Sequence, residues 1–373
     1  MPRGASQREA RPSGVLEYIQ DLARREPATD RLVALLSERA PIYAGRRTDE
    51  VDRLRAIILG AFERLGLPLE AVPFVLEELE SGGNPQTVAA AARALRNAIE
   101  VPAQAVDLVL RAIDRFATAD DVLEPDDPAG AEPTTLLLEL AHTLVRLAPH
   151  ARDCRKALRS LIDRNGPAFS DEVRAALNAA LTALPPEQPA TACCCSQDAA
   201  AVSSDAIIVA SSTLPREVVL QDQDGELTTL GAFLVGRPSV VTFFYTRCMV
   251  PEKCSLTITK LARLQRKLAA EALTGRINIA AITYDPAFDL PSRMRAYGLD
   301  RGMAFNRQNR LLRAPNGLEP LQHYFDLQVG FGAATVNRHR LELFVLDRKA
   351  RIAASFTRMQ WDEQKILATL RGL

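Results

Sequence analysis

The 373-residue chain has little of several things that would place it quickly. It has no charge surplus, since Lys plus Arg and Asp plus Glu both number 46. The molecule as a whole therefore has nothing that would hold nucleic acid or an anionic membrane. No stretch approaches the ~18 uninterrupted apolar residues of a membrane span. The opening MPRGASQREARPSG carries charges with no apolar run behind them, unlike an export signal. These absences predict a cytoplasmic, reducing location, in which structural disulfides are not expected. Glycine (19) and proline (23) are too sparse for a collagen-like or low-complexity chain. Histidine is scarce at four residues, so each one bears on where a metal or a proton could be held.

What is present is 47% hydrophobic residues, enough at roughly 150 residues per domain for two or three domains with real cores. The charge is not evenly spread. Residues 1–190 carry 23 basic and 29 acidic side chains, and 191–373 carry 23 and 17. The six cysteines are uneven too: Cys154 stands alone, whereas Cys193, Cys194, Cys195, Cys248 and Cys254 crowd into 193–254.

Residues 1–184 read as an α-helical domain. Val15, Leu16, Ile19, Leu22 and Ala23 recur at helical spacing, as do Val51, Leu54, Ile57, Ile58 and Phe62. Short helices follow in pairs: Leu67–Glu80 and Gln86–Ile99 across Ser81-Gly82-Gly83-Asn84-Pro85, Val101–Thr118 and Thr134–Leu147 across an acidic loop, then Ala151–Asp163 and Ser170–Leu184. Ser170, with Asp171 and Glu172 behind it, is a good N-cap. The segment LPLEAVPFVLEELESGGNPQTVAAAARALRNAI resembles a HEAT repeat, and over about 70–180 the resemblance implies a helical solenoid with a partner-binding face. An irregular helical bundle fits the same pattern. No catalytic constellation is visible; His142 and His150 stand alone, and Cys154 reads as a core residue.

Residues 185–205, PPEQPATACCCSQDAAAVSSD, lose all periodicity and read as a flexible linker. Within it, Cys193-Cys194-Cys195 offers soft ligands or exchangeable thiols, though adjacent residues cannot easily close a single-metal site alone.

From 206 to 373 strands alternate with helices. A hairpin turns at Asp222-Gln223-Asp224-Gly225, and SVVTFFY (Ser239–Tyr245) and INIAAITY (Ile277–Tyr284) are apolar runs suited to strands covered on both faces. Ser255–Leu273 is an amphipathic helix between them. Helices are expected near 289–298 and 316–325, then a hairpin of Leu341–Leu346 and Ile352–Phe356 and a closing helix Trp361–Leu370. That order predicts a thioredoxin-like α/β domain. Cys248 and Cys254, in TRCMVPEKCS, fall directly after the first buried strand and open a helix. A helix N-terminus lowers a thiol pKa, and the carboxyl end of a central strand is where α/β folds place their sites.

The stretches LQDQDGELTTLGAFLVGRPSVVTFFYTRC, ITYDPAFDLPSRMRAYG and TVNRHRLELFVLDRKARI, in that order, resemble the Sco/SenC copper-insertion family over about 160 residues. The resemblance implies copper, Cu(I) and with an added ligand Cu(II), bound by Cys248, Cys254 and His339. It also implies that Asp285 and Asp289 belong to an acidic segment beside the site. This chain departs from the family's C-x3-C spacing with C-x5-C. Two thiolates and an imidazole independently make a soft site suited to Cu(I), and Asn337-Arg338-His339 offers no proline where a thioredoxin-type enzyme would carry one. Arg338 and Arg340 beside the histidine suit an anionic partner, and His323 reads as structural.

Three functions remain open at this stage. One is a metal-binding chaperone that passes copper between proteins, its helical domain docking a client, donor or acceptor and Cys193–Cys195 relaying metal. Another is an enzyme, a thiol–disulfide oxidoreductase or thiol peroxidase, in which Cys248 attacks, Cys254 resolves and Asp285 steers protonation. The third is an interaction protein whose helical half is the working surface. None needs nucleic acid or a membrane span.

Overall fold

The computed structural model describes residues 12–24, 29–123, 133–151, 154–185 and 213–373. The chain divides into two compact units, Met1–Ala201 and Val202–Leu373. The triplet Cys193–Cys195 and the rest of 186–205 lie outside the described residues.

The first unit is helical: α1 (Pro12–Arg24), α2 (Thr29–Leu35), α3 (Thr48–Leu65), α4 (Val72–Ser81), α5 (Pro85–Leu95), α6 (Ala105–Arg115), α7 (Leu136–Leu147), α8 (Arg155–Asn165) and α9 (Asp171–Ala183). Side-chain oxygens start several of them. Asn84 accepts from the Thr87 N–H, Thr135 from Leu138 and Ser170 from Val173, each satisfying a first-turn donor. The helices stack in two rows, α3–α5–α7–α9 and α4–α6–α8. Ala89–Ala92 are fully buried, small enough for α5 to sit between α3 and α7. Arg55 and Glu78 form a buried ion pair, Nη2 to Oε1 at 3.2 Å, and Arg55 Nη1 also donates to the Leu36 carbonyl at 2.6 Å. The helices are shorter than the periodicity predicts: Val101–Thr118 contracts to α6 because Pro102 and Phe116–Ala119 close turns instead.

The second unit runs β1 (Val219–Asp222), β2 (Leu227–Thr229), α10 (Leu230–Leu234), β3 (Ser239–Phe244), α11 (Leu256–Ala270), β4 (Asn278–Thr283), α12 (Pro291–Asp300), β5 (Asn309–Arg313), α13 (Glu319–Phe325), β6 (Val329–Phe331), β7 (Val336–His339), β8 (Glu342–Leu346), β9 (Ile352–Thr357) and α14 (Glu363–Arg371). Seven strands form one mixed sheet in the order β2-β1-β5-β4-β3-β8-β9, and β6 and β7 pair separately. Strands β3, β4 and β5 are parallel, linked by α11 and α12; the outer pairings are antiparallel. This is a thioredoxin-like α/β arrangement. Alternation along β3 assigns its residues to two cores. Val241 and Phe243 pack with Leu230, Leu321 and Phe325, whereas Val240 and Phe244 pack with Ile258, Leu261, Met294 and Ile366. Strands β5, β6 and β7 are additions to the sequence expectation. Among the described residues, no helix is long and apolar enough to cross a membrane.

Candidate metal centre

The sheet order explains why residues 91 positions apart meet. Strand β8 lies antiparallel to β3, with Thr242 opposite Leu343. Whatever precedes β8 is therefore delivered to the carboxyl end of β3, where the chain leaves through Tyr245, Thr246 and Arg247 to Cys248. His339 ends β7, three residues before β8 begins. Its Nε2 lies 3.6 Å from the Cys248 sulfur and 3.6 Å from the Cys254 sulfur. The three donor atoms all fall within 4.8 Å of one another, the one such group among the described residues. Bonds of about 2.3 Å to sulfur and 2.0 Å to nitrogen at trigonal angles would put sulfur and nitrogen ~3.7 Å apart. The donors stand near that spacing already.

The imidazole is oriented by its surroundings. Nδ1 is 3.1 Å from the Arg340 carbonyl, which only accepts, so Nδ1 carries a proton and donates it there. That arrangement fixes the ring and directs Nε2 at the sulfurs, as in the outer shell of many metal sites. The rings of Tyr245 and Tyr284 flank His339 at 5.4 and 5.5 Å. Tyr284 in turn donates to the buried Glu342 carboxylate at 2.5 Å, which also accepts from the Gln328 N–H and from Arg340 Nε at 2.9 Å each. Burial raises the pKa of both Tyr284 and Glu342.

The two thiols are unequal. Cys254 is 1% exposed, and burial raises its pKa, with Cys248 adding to the effect. Cys248 is half-buried and pulled down to about 3. Its largest cause is the hydrogen bond with Cys254; His339 adds to it, and burial opposes. Both are free thiols. Residues Pro251–Ser255 form a single π-helical turn ahead of α11, so the loop between the cysteines ends inside a widened first turn of helix. Met249, at the loop's tip, is 90% exposed.

Residues 211–373 match the family model described as SCO1/SenC. Over these residues the chain is similar to that family. Solved structures similar to it include ScoI of Bradyrhizobium japonicum with copper bound (23% identity, 42% of this chain and 97% of that one, TM-score 0.35). Others are yeast Sco1 with copper bound (20%, 42% and 87%, 0.35) and a SCO1/SenC family lipoprotein from Bacillus anthracis (19%, 42% and 91%, 0.37). No curated protein matches the chain.

The other sequence candidates do different work. Asp289 is fully buried and accepts from the Thr246 N–H at 3.1 Å and from the hydroxyls of Thr246 and Thr283, pinning the start of the cysteine loop. Asp285 is held by Arg247, which also donates to the Ala334 carbonyl and lies 4.1 Å over the Phe288 ring. Asp285 is thus committed to a guanidinium rather than placed to move a proton at the thiols. Arg340 is likewise committed, to the Glu342 carboxylate within the chain rather than to an anionic partner. Cys154 is buried in the helical unit, and His142, His150 and His323 are exposed. The residues that sequence reasoning missed are Tyr245, Tyr284, Glu342 and Lys253. Only their position beside the buried strands and the second cysteine could have marked them.

Proposed function

We propose that the chain binds copper as Cu(I) through Cys248, Cys254 and His339 and passes it to or from another protein. The observation that supports this most directly is the pair of sulfurs equidistant from one Nε2 whose partner nitrogen is already engaged. Two thiolates and a neutral imidazole form a soft, low-coordinate donor set that suits Cu(I). Cys254 and His339 sit inside, at 1% and 5% exposure, and hold the cargo. Cys248 is the reachable ligand. An incoming thiolate from a donor or acceptor would bind on its side and displace it. That exchange changes no oxidation state and needs no general base. The helical unit, with its two rows, is read as a HEAT-like array on which the protein partner docks, and Asp289 and Asp285 as residues that hold the loop.

Anaerobic titration of the reduced protein with Cu(I) against a competing chelator tests the reading. The expectation is tight binding with one equivalent that depends on these residues. Cys248→Ser or His339→Ala should each weaken it by at least about a hundredfold, more than loss of an outer-shell partner costs. Weak binding indifferent to His339 would end this reading.

The depressed Cys248 pKa favours a second reading, thiol–disulfide exchange. Here the Cys248 thiolate attacks a partner disulfide and expels one partner thiolate. Cys254 then displaces the mixed disulfide, leaving Cys248–Cys254 oxidised and the partner reduced by two electrons. A Cys248–Cys254 disulfide that forms readily in a protein with little copper affinity would select it.

A further inference from the structure

The cysteine loop carries a buried charged side chain. Lys253 sits inside the π-helical turn, immediately before Cys254, and is only 5% exposed. Its ammonium donates to the backbone carbonyl of His339 at 3.1 Å. The bond joins the element that carries one sulfur to the strand that carries the imidazole, across 86 positions of sequence. A lysine is rarely buried to this degree without a use for its charge or its reach. Here both are directed at the same place.

The reach matters because the three donors come from two pieces, the cysteine loop (Cys248, with Cys254 in its π turn) and the β6–β7 hairpin (His339). The hairpin is not part of the main sheet. A hydrogen bond from a charged donor to the His339 carbonyl fixes the second piece against the first at the histidine itself. The charge matters for a different reason. Two thiolates and an imidazole around Cu(I) carry a net charge of −1, and around Cu(II) they are neutral. A fixed ammonium in a poorly solvated place stabilises the more negative of the two states.

We propose that Lys253 is a positioning residue of this site, which ties the Cys254 turn to the His339 strand and biases the site toward Cu(I) over Cu(II). The inference rests on the copper reading given above. Its test uses the full chain with Lys253→Gln, which keeps a hydrogen-bond donor without charge, and Lys253→Arg, which keeps the charge. Cu(I) affinity is read anaerobically by chelator competition, and Cu(II) affinity by titrating the sulfur-to-copper charge-transfer absorption.

The Cu(I)-to-Cu(II) affinity ratio should fall on the order of tenfold in Lys253→Gln and stay within about threefold of the parent in Lys253→Arg. An unchanged ratio in Lys253→Gln, or an equal fall in both variants, would overturn the inference while leaving the copper site standing. A parent protein that takes up no copper at Cys248 and His339 would overturn both.

Discussion

His339 uses three of its atoms for three tasks. Nε2 faces two sulfurs, Nδ1 donates to Arg340, and the backbone oxygen receives Lys253. Beside it, Cys248 has a folded-state pKa of about 3, so it is a thiolate throughout the neutral range. Its alkylation rate in the metal-free protein should be flat between roughly pH 5 and pH 8, where an ordinary thiol gains about tenfold per unit. Cys254→Ala removes the main hydrogen-bond partner, so the pKa rises and the rate regains its slope. A parent rate that climbs across that window would contradict the arrangement. The same depression stabilises the fold: the contribution is complete above the unfolded-state value near 8.5 and fades as pH falls toward the folded one. The three donors were legible in the sequence because their residue types and order are distinctive. Lys253, Tyr245, Tyr284 and Glu342 were not, since a lysine in a loop or a tyrosine after a strand has many ordinary uses.

At the level of elements, SVVTFF and NIAAIT were readable as buried strands because every residue of β3 and β4 is buried and nearly every one is apolar or small. Strand β5, NRLLR, holds only two apolar residues, and β6 and β7 are three and four residues long. At that length periodicity carries no signal, and it is the tertiary frame that makes them strands. The packing of α12 against β5 leaves little slack. A Cβ on Gly298 would stand 2.5 Å from the Phe305 ring and 3.0 Å from Leu311. Gly298→Ala should therefore destabilise the second unit by about 1–3 kcal/mol in denaturant titration, despite the better helix propensity of alanine. In the first unit, Arg55→Ala takes the guanidinium from buried Glu78, and a loss of about 3–5 kcal/mol is expected. Normal stability in either variant would show that the site relaxes more than its packing implies.

Over the whole molecule, each unit has its own core and its own charge sign, acidic before residue 190 and basic after it. The change in pattern was legible because a 3.6-residue period gives way to apolar runs. Within the first unit, paired helices at even spacing suit several helical arrays, so the HEAT-like reading rests on the likeness of one segment rather than on the period. On the copper reading, Cys193–Cys195 are expected to act as further soft donors. Replacing all three by serine in the full chain should remove any copper bound beyond one equivalent and leave the His339-dependent equivalent in place. Loss of that equivalent as well would make the triplet part of the same site.

The π turn at Pro251–Ser255 bears on the packing of the helix it opens as well as on the chemistry. A helix that takes in an extra residue without unwinding carries it as one widened turn. Downstream, α11 still buries Ile258, Leu261, Leu264 and Leu268 on a single face. One extra residue between the two cysteines can thus be taken up in that turn, leaving the buried face of α11 in register with the core.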